Sequence, residues 1–484
     1  MTIEPWELDN PTATSASSVQ AVSGQDPFAE QRLVSYTLPA PQATAANFLR
    51  QARGQARIYW QDGRSDVTFA GFGLAANLFA WGERRFAQIE QQARALFHEA
   101  LLLNEGPKLA APRLFGGFAF NDDFMPDNTW SVHHPAHFIL PHYQLVRIGR
   151  ESWLTINALL PLDESPALLR DDLHQALLAR YELLCQTEGE AAPATDSGQV
   201  ASSAPPPAAP TITYPMSYEA WAAGINEARH RIATTPLEKV VLARICELRF
   251  EQPVDVEGAL AYLKQHYGGC YRFLFEPRPH HAFYGATPEL LAQVNGRTFH
   301  SMGLAGSIRR SSDPLQDELL GQQLLNSAKD RHEHEVVVMA LLNRLAPITS
   351  KLEIAPQPGV YKLSNIQHLH TPVRAELQTA QGILSLVELL HPTPAMGGAP
   401  RDLALDFISQ AEPAPRGWYA APIGWIDHNL DGTFAVAIRS AVSQYERAWL
   451  YAGAGIVADS DPDLEWQETA LKFRPMMECL GIYK

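Results

Sequence analysis

The chain has 484 residues, 46% of them hydrophobic and 19% charged, the balance of an ordinary globular protein long enough for more than one core. Its formal net charge of -15 excludes a broad nucleic-acid footprint or attraction to anionic lipid, so any anion site must gather its cations locally. Four scattered cysteines (Cys185, Cys246, Cys270, Cys479) exclude a disulfide framework and no apolar run approaches roughly 18 residues, which leads to the expectation of a cytoplasmic monomer that binds neither membrane nor nucleic acid.

Residues 1–26 are rich in Ser, Thr, Ala and Gln, and a mobile segment is expected there. A first part, 27–185, opens with a strand over 32–38 and a helix over 43–52. Strands over 57–60 and 66–71 follow, joined at Asp62-Gly63. The stripe Phe86, Ile89, Ala93, Leu96, Phe97 predicts a helix over 81–103. Strands over 114–120, 136–141, 143–150 and 151–159 and a helix over 165–185 complete this part. The composition then shifts: 186–213, with Ala204-Pro205-Pro206-Pro207, reads as a linker or surface excursion. The second part, 214–484, runs helix 218–234, strand 239–250, helix 256–265, and strands 272–275, 282–286 and 298–303. A long helix over 314–346, helices over 382–391 and 400–410, strands over 423–427, 433–444 and 449–454, and a helix over 464–480 follow. Strands and helices mix without strict alternation, which favours an α+β or layered fold over a doubly wound sheet.

Two stretches imitate a dinucleotide fingerprint, Gly71-Phe-Gly-Leu-Ala-Ala76 and Gly453-Ala-Gly-Ile-Val-Ala458. Neither opens a clear helix with an acid about 20 residues on. His332 and His334 are two apart on a helix and point in different directions, so the run Asp330-Arg-His-Glu-His-Glu335 is a poor zinc site.

The remaining chemistry lies in the second part. On the predicted strand from Lys239, alternation puts that lysine on the face of Val241 and Ala243. Burial there would disfavour its ammonium and make it a base, whereas a snorkelling strand-edge lysine is the plainer reading. Asp330 and Glu333 are i and i+3 on one helix; Glu465 and Glu468 repeat the spacing on another, with Lys472 one turn further. Facing each other, the pairs would form an oxygen cage for Mg2+; apart, they are solvated helix faces. Ala305-Gly306-Ser307 and Gly453-Ala454-Gly455 bring backbone N–H groups within reach of an anion. Arg439 is expected within the strand 433–444, facing the site, and Tyr419 after an Arg-Gly-Trp turn. Glu289, after Ala286-Thr-Pro288, is a candidate acid at a cleft mouth.

Taken together, Pro236–Arg244, Gly285-Ala-Thr-Pro-Glu-Leu-Leu291, Leu304-Ala-Gly-Ser307, Lys329-Asp-Arg-His-Glu-His334, Gln367-His-Leu-His-Thr371, His391-Pro-Thr-Pro-Ala395, Arg416-Gly-Trp-Tyr419, Ala437-Ile-Arg439, Ala452-Gly-Ala-Gly-Ile456 and Glu465-Trp-Gln-Glu-Thr-Ala-Leu-Lys472 resemble the chorismate-utilising enzyme family. More narrowly they are similar to isochorismate synthases of the menaquinone type. The motifs keep family order across 236–472, and Gly116-Gly-Phe-Ala-Phe120 resembles the N-terminal half of the same fold. The resemblance implies an α+β, anthranilate synthase component I-like fold of two large stacked sheets with outer helices. It implies Lys239 as the base activating water for attack at C2 of chorismate, and Glu289 as the acid protonating the departing C4 hydroxyl. It further implies Glu333 and Glu468 as Mg2+ ligands with Asp330 and Glu465 behind them. Tyr419 and Arg439 would hold the enolpyruvyl carboxylate, with Gly306, Gly453, Lys472, His368 and Ala395 around the substrate. Asp330 departs from the Glu of some relatives, which touches only the outer acids. Lys239 argues against the ammonia-using relatives. Salicylate synthases typically show Thr in the segment ending at Ala395, so Ala395 resembles the isochorismate synthase choice; a binding homologue without activity is the non-enzyme alternative.

Overall fold

In the computed structural model the described residues are 28–104, 106–162, 166–186 and 209–482; the expected mobile segment and most of the expected linker lie outside them. Among these residues the strands form two large sheets, one of 13 strands and one of 10. Each sheet is spliced from both parts of the chain. In the first, Tyr271–Arg278 pairs antiparallel with Arg57–Asp62, Phe273 opposite Trp60. In the second, Pro422–Asp427 pairs antiparallel with Arg113–Phe118, Ile423 opposite Gly117.

Alternation along these strands sends one row of large apolar side chains into the space between the sheets. Phe69 of the first sheet meets Phe115 and Trp425 of the second at ring distances of 5.7 and 5.6 Å. Phe118, Phe138, Phe273, Phe283 and Phe434 are fully buried in the same core, each worth about 1.5–3 kcal/mol of burial. The helices Ala45–Gln51, Pro166–Gln186, Val256–His266 and Pro462–Cys479 bury Phe48, Leu177, Leu260 and Met476 against the first sheet. Arg85–Phe97, Ala328–Leu345 and Ile383–Leu390 bury Ile89, Leu341 and Val387 against the second. The result is the stacked-sheet α+β architecture. No helix among the described residues is long and apolar enough to cross a membrane.

Three expectations from sequence are corrected. The helix over 81–103 stops at Phe97; Glu99 takes a positive φ of 57°, and Leu101–Asn104 becomes a strand parallel to Gln31–Pro39. The helix over 314–346 is two helices, Pro314–Asn326 and Ala328–Leu345, because Ser327 caps the second by accepting from Asp330 N at 3.3 Å. The strand over 433–444 is also two, Gly432–Val436 in the second sheet and Ser440–Gln444 in the first. One straight strand cannot serve two sheets stacked about 10 Å apart, so residues 437–439 cross between them, with Arg439 at φ +51°. Neither glycine-rich imitation opens a helix: Gly71–Ala76 turns into the strand Ala76–Ala80, and Gly453 lies inside the strand Arg447–Ile456. Leu290–Asn295, Thr349–Ile354, Gly359–Lys362 and Ile366–Leu377 are further strands of the second sheet.

Candidate active site

The strand Lys239–Arg249 lies antiparallel to Arg447–Ile456, with Val241 opposite Gly455 and Ala243 opposite Gly453. Opposed residues share a face, so Lys239 and Val241 look the same way as the two glycines. Lys239 is fully buried, and its Nζ lies 2.8 Å from Glu333 Oε1. That contact needs a bare backbone beside it: a Cβ on Gly455 would stand 2.4 Å from Glu333 Oε1 and 2.9 Å from Lys239 Cε. Burial pushes the Glu333 carboxyl up, but Lys239, and after it Lys472 and Lys329, together more than offset it and hold the group below its ordinary value.

Glu333 comes from the helix that Ser327 caps. Asp330, one turn earlier, accepts from Ser327 Oγ and packs against Gly306, and burial raises its carboxyl. Gly306 (φ +72°) stands at a bulge in the strand Thr298–Arg309, where the register against Ile366–Leu377 slips between Ala305 and Ser307. The helix Pro462–Cys479, capped by Asp461, presents the second set. Glu465 is buried and paired with Lys329 at 2.7 Å, and its carboxyl is raised by burial and then by Glu468. Glu468 meets Lys472 at 2.5 Å, and Lys472 also donates to Gly453 O at 2.8 Å.

Glu289 follows the strand His281–Thr287 and is buried. Burial pushes its carboxyl up to about 8, with Lys239, Arg439 and Lys472 only partly opposing, so it keeps its proton at neutral pH. Arg439 is buried at the crossover between the sheets, its Nη2 3.3 Å from His368 Nε2. A guanidinium only donates, so Nε2 accepts and the His368 proton sits on Nδ1, facing Ser307 Oγ at 2.9 Å and Gly306 O at 3.1 Å. Burial, then Arg439 and Lys472, hold His368 well below its ordinary value and hence neutral. Tyr419 stacks on Tyr451 at 5.1 Å, and burial lifts its hydroxyl to about 12.

Glu289, Gly306, Glu333, His368, Ala395, Tyr419, Arg439, Gly453, Glu468 and Lys472 line one cleft. Lys239 reaches it through Glu333, while Asp330 and Glu465 stand behind the lining on their helices. One carboxylate of each acid pair, Glu333 and Glu468, lines the cleft, and Arg439 enters it from a crossover and not from within a strand. Val241, Ser307, Met396, Arg416 and Gly455 also line it. Ser307 and Gly455 stand in the anion-binding segments expected from sequence, and Val241 and Arg416 stand in the quoted motifs without a role, whereas nothing local marks Met396. Two carboxylates facing one space, with cations around them in a chain of net charge -15, suit a hard divalent cation together with an anionic ligand.

The family model described as chorismate binding enzyme matches residues 18–481. A salicylate biosynthesis isochorismate synthase of Pseudomonas aeruginosa is 37% identical over 424 residues, covering 88% of this chain and 84% of its own. The solved menaquinone-specific isochorismate synthase MenF of Escherichia coli superposes with a TM-score of 0.73 at 27% identity, covering 95% of this chain and 97% of that one. Anthranilate synthase component I of Streptococcus pneumoniae shares the fold, with a TM-score of 0.64 at 18% identity over 96% of this chain and 95% of its own.

Proposed function

The chain belongs to the chorismate-binding enzyme family, and from that premise we infer that it is an isochorismate synthase, adding water at C2 of chorismate and releasing the C4 hydroxyl. The observation that carries this reading is a carboxyl that keeps its proton, Glu289, in the cleft that Lys239 adjoins. Water is a poor nucleophile and hydroxide a poor leaving group, so the exchange needs a base at one carbon and an acid at the other. Lys239 Nζ takes the proton of the attacking water, and Glu289 delivers its proton to the C4 oxygen, which leaves as water. The pair ends as ammonium and carboxylate, and a proton returning from Lys239 to Glu289 resets it.

Tyr419 and Arg439, which line the cleft, would hold the enolpyruvyl carboxylate, and the contact of Arg439 with His368 supports that reading. Glu333 and Glu468 fit Mg2+, which is ordinarily held by one or two carboxylates plus waters and substrate oxygens. When bound, Mg2+ supplies positive charge that stabilises the substrate dianion. Purified protein, chorismate and Mg2+, with products separated by chromatography, tests the reading. Isochorismate alone supports it, salicylate with pyruvate moves it to a salicylate synthase, and an ammonia-dependent product sinks both. The near-complete match to a menaquinone-specific enzyme supports supply of menaquinone, which loss of menaquinone on gene deletion would check.

A further inference from the structure

The strand that carries Lys239 has one fully paired edge, against Arg447–Ile456 from Val240 to Arg249. Its other edge pairs with Gly398–Ala399 only at Lys239 and Val240, and with Thr211–Thr213 only from Glu247 to Arg249. Between them, residues 241–246 have no strand beside them on that edge among the described residues. Buried backbone groups left bare there would each cost about 1–3 kcal/mol.

Val241 N reaches Gly397 O at 2.9 Å, and an ion pair takes up the next two backbone groups of that edge. Glu412 Oε1 accepts from Ala243 N at 2.8 Å, and Arg416 Nη2 donates to Val241 O at 2.7 Å. The two side chains join through Nε–Oε2 at 2.9 Å and Nη2–Oε1 at 2.5 Å, and they are 3% and 6% exposed. Arg416 Nη1 donates further to Met396 O at 2.8 Å, and the guanidinium lies 4.4 Å from the centre of the Phe120 ring. Finally, Arg416 O accepts from Tyr419 N at 3.0 Å. One residue thus ties together the strand of Lys239, the segment after Ala395 and the turn that presents Tyr419. A buried ion pair is weak as a stability device, and an apolar pair could fill the volume. A guanidinium spreads five fixed N–H donors over three nitrogens, where a lysine has three on one, so Nε, Nη1 and Nη2 reach Glu412, Met396 O and Val241 O from separate atoms, and geometry explains the charge.

We propose that Arg416, locked by Glu412, is a positioning residue that sets the affinity of the cleft for the carboxylate end of its substrate, by fixing Tyr419 and the Ala395–Met396 wall against the strand of Lys239. The proposal rests on the isochorismate synthase reading for the identity of that substrate. Arg416→Lys keeps the charge but cannot span Val241 O, Met396 O and Glu412 together. It raises KM for chorismate, and the calorimetric Kd, by about tenfold, while kcat stays within about threefold, the pattern of lost uniform binding. In a Tyr419→Phe background the same change adds about threefold rather than tenfold, because the part that runs through Tyr419 is already lost while the part through the Ala395–Met396 wall remains. If Arg416→Lys does not fold, Glu412→Gln, which keeps the size and one acceptor oxygen, decides with a rise of about threefold or more. A folded variant with unchanged KM and Kd, or effects that multiply fully with Tyr419→Phe, overturns the proposal. A wild-type product other than isochorismate would sink the functional reading and leave the clamp standing, since KM and Kd report the cleft whichever product forms. Absence of chorismate binding by the wild type would overturn both.

Discussion

Glu289→Gln keeps the outline of the side chain and removes its proton equilibrium. In the folded wild type the carboxyl holds its proton up to about pH 8, against an ordinary value of 4.5. A difference of that size makes the ionised form on the order of 5 kcal/mol less favourable inside the fold than in the unfolded chain. Between those two values the unfolded chain has released this proton and the folded chain has not. The group therefore erodes folding stability as pH rises, by about 1.4 kcal/mol per pH unit, and the loss levels off above about pH 8. The variant lacks this slope. Its unfolding free energy should gain on the wild type by that amount per unit from about pH 5 to about pH 8, then run parallel. For 484 residues the unfolding entropy is about 1 kcal/mol/K, so the gain appears as roughly 1.4 °C of Tm per pH unit. Paired thermal scans of both proteins across that range read it, and other titrating groups cancel in the difference. A gap that does not change with pH would mean that Glu289 is ionised at neutral pH and cannot be the acid. The same variant should lose about 10²–10⁴ of the turnover rate, and wild-type kcat/KM should fall above about pH 8.

Lys239→Ala should abolish turnover and also destabilise the fold by about 3–5 kcal/mol, because it strands Glu333 as an uncompensated, largely buried carboxylate. Adding Glu333→Gln should restore stability but not activity, which separates the two roles; near-normal activity in Lys239→Ala would refute the assigned base. Glu468→Gln removes one of the two carboxylates in the cleft lining and the partner of Lys472. It should raise the Mg2+ concentration for half-maximal activity about tenfold or more, and an unchanged Mg2+ titration would reject Glu468 as a ligand.

What the sequence made legible was periodic or local. The helix Tyr218–Thr234 and the start of the strand at Lys239 follow from spacing and from Pro236, and the acid pairs were visible as i, i+3 on helices. The break at Ser327 was local too: Ser327-x-x-Asp330 has the form of a capping box, but the surrounding run of helix formers from Pro314 to Leu345 masks it. Arg439 was misplaced for another reason. The run from Phe434 to Ile438 is apolar throughout and has no Gly or Pro, so nothing in it marks where the backbone leaves one sheet for the other. Least legible were the contacts that make the site work. Lys239 with Glu333, His368 with Arg439, and Arg416 with Val241 join residues far apart in the chain, and no pattern within a segment encodes them.

The splicing of both sheets from distant segments has a consequence for synthesis on the ribosome. The strand Arg57–Asp62 emerges roughly 200 residues before Tyr271–Arg278, and Arg113–Phe118 waits longer still for Pro422–Asp427. At typical elongation speeds the first of these edges stays open for about 10–40 s, with no strand beside Arg57–Asp62 on that side. The nascent first half is then a pair of unfinished, sticky β-edges, a natural client for chaperones. Residues 1–186 made alone should therefore aggregate or form mixed oligomers in size-exclusion chromatography. A monodisperse, cooperatively melting fragment would show that the first half completes itself without the second.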